Sequence, residues 1–127
     1  MSLVSNMISI IKVGSIAKRL VVTVQNSKLC INILNVLYRL GYIRGFAIEN
    51  KKCIKVFLKY TDNKPVIRNI NVISTPGRRI YTRYEGLRLD LRKKSSGFYI
   101  ISTNKGLLTD EESIIFGRGG EVLLKVS

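Results

Sequence analysis

The chain has 127 residues, 46% of them hydrophobic, so it can bury a core and is too apolar to be a disordered polyelectrolyte. Its 22 Lys and Arg against 8 Asp and Glu give a formal charge of +14, a surface that repels itself and attracts polyanions. The absence of histidine removes Ser–His and Cys–His nucleophile pairs together with the usual general base at neutral pH.

Val4, Met7, Ile8 and Ile11 recur at helical spacing and predict an amphipathic helix over residues 3–15. Ala17-Lys18-Arg19 interrupts it, and the β-branched run Leu20–Val24 reads as a short strand. Asn26-Ser27 offers a helix N-cap, Cys30, Ile33, Leu34 and Leu37 supply an apolar stripe, and Gly41 supplies the stop. Two strands follow, Tyr42–Glu49 and Cys53–Tyr60, joined by the polar turn Asn50-Lys51-Lys52. In the second strand Ile54, Val56, Leu58 and Tyr60 alternate with Lys55, Phe57 and Lys59, which sends one face to a core. The first half therefore reads αβαββ.

Thr61-Asp62-Asn63-Lys64-Pro65 is turn chemistry and sets the expected boundary between an N-terminal lobe, 1–62, and a C-terminal lobe, 63–127. In the second lobe Val66–Ile73 reads as a strand, Glu85–Leu91 as one or two helical turns, and Arg92–Gly97 as a basic loop. The chain then reads as a strand over 98–102, a polar loop Ser102-Thr103-Asn104-Lys105-Gly106, a short helix over about 110–116, and a strand over 121–126. Thr109 and Glu112 have the spacing of a capping box. Gly117, Gly119 and Gly120 are expected to supply positive φ at the helix stop and turn. The expected class is α+β, with a second lobe that is mainly β.

Between residues 64 and 94, Lys64, Arg68, Arg78, Arg79, Arg83, Arg88, Arg92, Lys93 and Lys94 face only Glu85 and Asp90. Tyr81 and Tyr84 are interleaved with them, so cations for phosphates lie beside rings that stack on bases, as an RNA-binding face requires. The 102–106 loop adds hydroxyls, an amide, an ammonium and a glycine that permits close backbone approach. Read without further context, that loop is equally a tight hairpin whose hydroxyls satisfy its own backbone. The same positive face would also suit an anionic membrane or an acidic protein.

No window approaches the roughly 18 apolar residues that a membrane span needs. Val4–Ile11 is short and lacks a preceding basic residue, so it does not read as a signal peptide, and the chain is expected to act where it is made. Cys30 and Cys53 are not at metal-ligand spacing and read as reduced core residues. Gly117-Arg118-Gly119-Gly120 lacks the lysine and hydroxyl of a phosphate-binding loop, and no dinucleotide fingerprint is present. No cofactor, metal, small-molecule substrate or enzymatic activity is expected. Abundant Ile, Lys and Asn fit an AT-rich coding genome such as an organelle's.

Taken together, Ser102–Asp110 and Gly117-Arg118-Gly119-Gly120-Glu121-Val122 resemble the C-terminal signature of the family of the eighth protein of the small ribosomal subunit. Ser74-Thr75-Pro76-Gly77-Arg78-Arg79-Ile80-Tyr81, Ser27-Lys28-Leu29 and Gly41-Tyr42-Ile43 are similar to further segments of that family, in the same order along the chain. The resemblance implies a non-enzymatic protein that binds the central domain of small-subunit rRNA, sits among neighbouring ribosomal proteins and supports platform assembly. It implies RNA contact by Ser102, Thr103, Asn104, Lys105 and Gly106, by Arg79 and Tyr81, and by Lys28, with Glu121 ordering nearby basic or backbone groups. Arg78 and Arg83 join them as adjacent cations. Ile10-Ile11-Lys12-Val13-Gly14 stands where bacterial members carry an arginine-rich stretch with an asparagine, and Glu85–Gly97 is longer and more basic than usual. Both departures imply an organellar ribosome, with the mitochondrion preferred to the plastid or a bacterium.

Overall fold

A computed structural model of the chain describes residues 3–74, 77–82 and 97–127. The expected helical turns over 85–91, the basic loop over 92–96, and Arg83 and Tyr84 lie outside the described residues. The fold is α+β, as expected, and divides into two compact units, residues 1–68 and 69–127.

The first unit opens with α1, Leu3–Ile16, which buries Met7, Ile8 and Ile11 along one stripe and leaves Val4 half-buried. Strand β1, Val21–Gln25, starts and ends one residue later than its β-branched run suggested. Helix α2, Lys28–Arg39, begins where Ser27 Oγ accepts the Cys30 N–H at 3.1 Å. It ends in a left-handed Gly41 with φ of 82°, whose N–H donates to Tyr38 while the Tyr42 N–H reaches back to Leu37. That pair of bonds satisfies the last carbonyls of the helix, and glycine adopts the conformation without Cβ strain. Cys30, Ile33, Leu34 and Leu37 are all fully buried, so the stripe read from the sequence is the core face. Cys30 and Cys53 are both free thiols.

Strands β2, Ile43–Ile48, and β3, Cys53–Leu58, close an antiparallel sheet in the order β1-β3-β2. Asn50 Oδ1 accepts the N–H groups of Lys52 and Cys53, which fixes the connecting turn. Ile54, Val56 and Leu58 on β3 join Val22 and Val24 on β1 in facing the helices. Gly14 is what lets α1 lie close to this sheet: a Cβ there would stand 2.5 Å from Val22 Cγ1 and 3.2 Å from Leu58 Cδ1. Past β3 the turn chemistry of 61–65 is itself a ribbon, β4 (Tyr60–Thr61) with β5 (Lys64–Pro65). Its tip holds Asp62 and Asn63 at φ of 52° and 67°, a conformation these two residue types tolerate. The Tyr60 hydroxyl donates to the Arg19 carbonyl at 2.6 Å.

The expected strand over 66–73 is shorter, with only β6, Ile70–Val72, in a ladder. Val66 and Ile67 have strand propensity but follow Pro65 and find no partner strand among the described residues, although Ile67 is buried. The second unit is built on β10, Gly120–Val126, which pairs antiparallel with β6, with β7 (Tyr81–Thr82) and with β8 (Phe98–Thr103). The polar loop expected at 102–106 is a hairpin: β8 runs to Thr103, and β9, Gly106–Thr109, returns beside it. Helix α3, Asp110–Phe116, follows without a linker. The capping box is present, with Thr109 Oγ1 accepting the Glu112 N–H and Glu112 Oε1 accepting the Thr109 N–H.

A register shift between Val122 and Leu124 makes β10 change faces. Val122 pairs with Ile101 while Leu124 pairs with Ile100, and adjacent residues of β8 point to opposite sides. Ile101 and Val122 therefore pack with Ile73, Tyr99 and Ile114, leaving Ile100, Leu124 and Val126 for the other face.

Two outcomes test this packing. Gly14→Ala is expected to destabilise the chain by about 1–2 kcal/mol in urea unfolding, because overpacking against Val22 outweighs the better helix propensity of alanine. The loss should shrink in a Val22→Ala background. Asp110 is buried in the first turn of α3, and desolvation holds its carboxyl above its ordinary range despite backbone bonds from Glu111 and Tyr99. The native state thus retains a proton the unfolded chain has lost. The stabilisation from this group is complete below the ordinary carboxylate pKa and declines as pH rises through the raised value. Asp110→Asn is expected to flatten that decline in unfolding curves taken upward from the ordinary carboxylate pKa.

Candidate nucleic-acid interface

The register of the second sheet sets three side chains in one row. Tyr81 on β7 pairs with Glu121 on β10, and Glu121 pairs with Ser102 on β8, so all three share a face. Next to that row Gly120 removes an obstacle, since a Cβ there would stand 2.0 Å from the Ser102 carbonyl oxygen. Positive φ is the expected reason for Gly117, Gly119 and Gly120, and it holds for Gly117 but not for the other two. Gly117 caps α3 in the left-handed region at φ of 65°, whereas Gly120 permits close approach between strands.

The segment before β7 is fastened from below by Ser74, a buried hydroxyl that is not among the expected contact residues. Ser74 Oγ donates to the Val122 carbonyl at 2.6 Å and accepts the Ile80 N–H at 2.9 Å. The Val122 N–H donates in turn to the Ile80 carbonyl at 2.8 Å. Arg79 is consequently presented beside Glu121, its Nη1 lying 3.3 and 3.2 Å from the two carboxylate oxygens. The Glu121 side chain is 15% exposed and that of Arg79 56%, so the acid is a part-buried post and the guanidinium keeps a solvent-facing side. Exposed pairs contribute little to stability. The pair's evident effect is to hold the arginine in place.

At the open end of the sheet the β8–β9 turn is tied to itself. Thr103 Oγ1 donates to the Gly106 carbonyl at 2.9 Å and accepts the Lys105 N–H at 3.1 Å. Gly106 follows at φ of 102°, where a side chain would be strained. Asn104 and Lys105 are left exposed at the tip, and Lys105 Nζ lies 5.7 Å above the ring of Phe116 on α3. That distance suits a cation–π contact and limits where the ammonium travels. The Thr103 hydroxyl is spent on the backbone, so the tip offers a fixed shape, the Asn104 amide and a steered ammonium.

Tyr81, Ser102, Thr103, Asn104 and the Gly117–Glu121 segment line one open hollow of about 530 Å³, with a predominantly polar wall. Tyr81 is 67% exposed at its rim. Of the residues expected at an RNA-binding site, Ser102, Thr103, Asn104, Tyr81 and Glu121 are gathered here, with Arg79 paired to Glu121 and Lys105 and Gly106 at the adjoining turn. Arg78 is exposed next to Arg79, whereas Lys28 belongs to the first unit, exposed in the first turn of α2. Arg118 also lines the hollow and is not among the expected contact residues, although its place between glycines at a helix stop is a usable signal. Among the described residues no group of three His, Cys, Asp or Glu side chains is arranged to hold a metal ion. No described helix is long and apolar enough to cross a membrane.

Residues 2–127 match the family model described as Ribosomal protein S8. The chain is 64% identical over 127 residues to the small ribosomal subunit protein uS8m of Acanthamoeba castellanii, covering 100% of both chains. It is 38% identical over 126 residues to the uS8 protein of Buchnera aphidicola subsp. Baizongia pistaciae, covering 98% of this chain and 95% of that one. With the uS8 protein of Rhodospirillum centenum the identity is 39% over 132 residues, covering 95% and 93%.

Ser74→Ala tests how the hollow is held. Removing the hydroxyl orphans the Ile80 N–H, with an expected cost of about 1–3 kcal/mol in equilibrium unfolding. Hydrogen exchange at Ile80 should accelerate, while exchange at Ile33 and Leu34 in the first unit changes only with global stability.

Proposed function

The chain belongs to the ribosomal protein S8 family, a family of structural constituents of the ribosome and not of enzymes; from that premise we propose that it binds small-subunit rRNA directly in a mitochondrial ribosome. Its target is the central domain of that rRNA, where binding supports assembly of the platform and hence translation. The observation that carries this reading is the row Tyr81–Glu121–Ser102 beside the self-tied hairpin tip, with Arg79 and Arg118 at the same hollow. The mitochondrial assignment rests on the 64% identity to the uS8m protein of Acanthamoeba castellanii along the whole chain.

Each group has a distinct task in this mechanism. Lys28 on the first unit and Arg78, Arg79, Arg83 and Arg118 on the second neutralise phosphates and set orientation. Glu121 aims the Arg79 guanidinium and keeps it from collapsing along the surface. Tyr81 offers a ring face to an unstacked base and a hydroxyl to a ribose or phosphate. The 102–106 hairpin enters an irregular groove as a rigid probe, with Gly106 allowing its backbone to come close to the RNA. Because Thr103 has already fixed the turn, little ordering entropy is lost when RNA binds. Neighbouring small-subunit proteins complete the partner set, and no small molecule or cofactor takes part.

Filter binding across a salt series checks the scheme. Engagement of about six phosphates gives a log–log slope between about −4 and −5.5. Arg79→Ala is expected to weaken every RNA tested and to flatten that slope by roughly one. Thr103→Val is expected to weaken a central-domain fragment at least tenfold while barely changing a random duplex, and Thr103→Ser to restore it. Equal losses on both RNAs from Thr103→Val would overturn recognition by hairpin shape.

A further inference from the structure

Strand β1 is one edge of the first sheet, and its outer rim has no partner among the described residues. The Leu20 carbonyl accepts the Leu58 N–H, and antiparallel alternation then directs Val22 and Val24 toward β3. The N–H and C=O groups of Val21, Thr23 and Gln25 point away from the sheet, along about 17 Å of strand. Folded proteins usually blunt such an edge with proline, lysine or a bulge. The opposite edge, β2, has a register shift at Arg44, whereas β1 reads Val-Val-Thr-Val-Gln with no interruption.

Beside that rim lies a groove of about 540 Å³, mostly apolar, lined by Ser9, Ile10, Val13 and Gly14 of α1, by Arg19, and by Val21–Thr23. Val13 is 64% exposed although it belongs to a helix with a well-filled core face. Arg19 is the only cation in the lining, and its backbone is fixed: its N–H donates to Gly14 and its carbonyl accepts the Tyr60 hydroxyl. A single cation over an apolar floor is a poor match for a phosphate backbone, which needs several. It is a good match for an acidic side chain at one end of an apolar strand. A second copy of this chain is disfavoured because each carries +14.

We propose that the β1 edge and its groove receive an extended segment of another polypeptide, apolar at alternate positions and acidic where it passes Arg19. The segment adds a strand to the β1-β3-β2 sheet through Val21, Thr23 and Gln25, and its inward side chains rest on Ile10 and Val13. This is a protein-docking surface on the first unit, in addition to the RNA-binding role proposed above.

The test places a photoreactive benzophenone side chain at Val13 in the full-length protein and irradiates intact small subunits. An adduct that survives ribonuclease, is lost to protease and maps to a segment with an acidic residue and alternating apolar positions is expected. Exchange of the Thr23 and Gln25 amides should slow at least tenfold in subunits relative to the free protein. Thr23→Pro removes an outward N–H without touching the β3 ladder, and should cut the adduct at least fivefold. Should that variant fail to incorporate, Arg19→Glu alters only an exposed side chain and is expected to cut it at least threefold. A ribonuclease-sensitive adduct would assign the groove to RNA, and an adduct of twice the chain's mass to a second copy. Either result, or no adduct with Thr23 exchanging as in the free protein, overturns the proposal.

Discussion

The second unit depends on one backbone strand being approachable from both sides. β10 carries ladders to β6, β7 and β8, and near its start Gly120 lies where a Cβ would meet the Ser102 carbonyl. That single missing carbon sets how closely β8 and β10 run at the polar end of the sheet, and hence whether Glu121 stands level with Ser102. Ser74 performs the complementary task from the other side, holding Ile80 and Val122 through one hydroxyl. Position is fixed first by backbone fit and a buried hydrogen bond, and charge is laid on it afterwards.

This order explains why a strongly basic protein invests in an acid at the centre of its polar face. Glu121 is the part-buried member of its pair, its backbone held in β10, while the Arg79 guanidinium remains on the surface. A free arginine samples many rotamers and must surrender them on binding; one leaning on a fixed carboxylate has fewer to lose. Lys105 is restrained in the same spirit by the Phe116 ring, a contact that also gives an exposed aromatic residue a purpose.

Much of the fold could be read from residue order because local signals and tertiary demands agreed. The α1 and α2 stripes, the Ser27 cap, the Gly41 stop and the Thr109–Glu112 box all came out as their chemistry implied. The misses share a cause: they depend on a partner distant in sequence. Val66 and Ile67 favour a strand but join no ladder among the described residues, so the pairing is confined to Ile70–Val72 and the backbone bonds of the flanking Asn69 and Ile73. Gly106–Thr109 shows no alternation in sequence, and β8 beside it makes it a strand. At the site, the polar residues of the 102–106 segment were visible as chemistry, whereas Thr103 turning its hydroxyl inward was not. Gly120 and Ser74 matter through atoms they meet across the sheet, and no window of neighbouring residues records such a meeting.

Thr109 serves two elements at once, pairing with Ile100 as the last residue of β9 and capping α3, whose first residue is Asp110. No slack separates hairpin from helix, so the two-residue tip acts as a gear tooth for everything downstream. An added residue that shifted the β8–β9 register by one would turn β9 over, carry Leu108 out of the interior and deny α3 its starting point. Length at this tip is therefore under tighter control than composition, and variation among working versions of the hairpin should come as exchanges at Asn104 and Lys105, never as insertions.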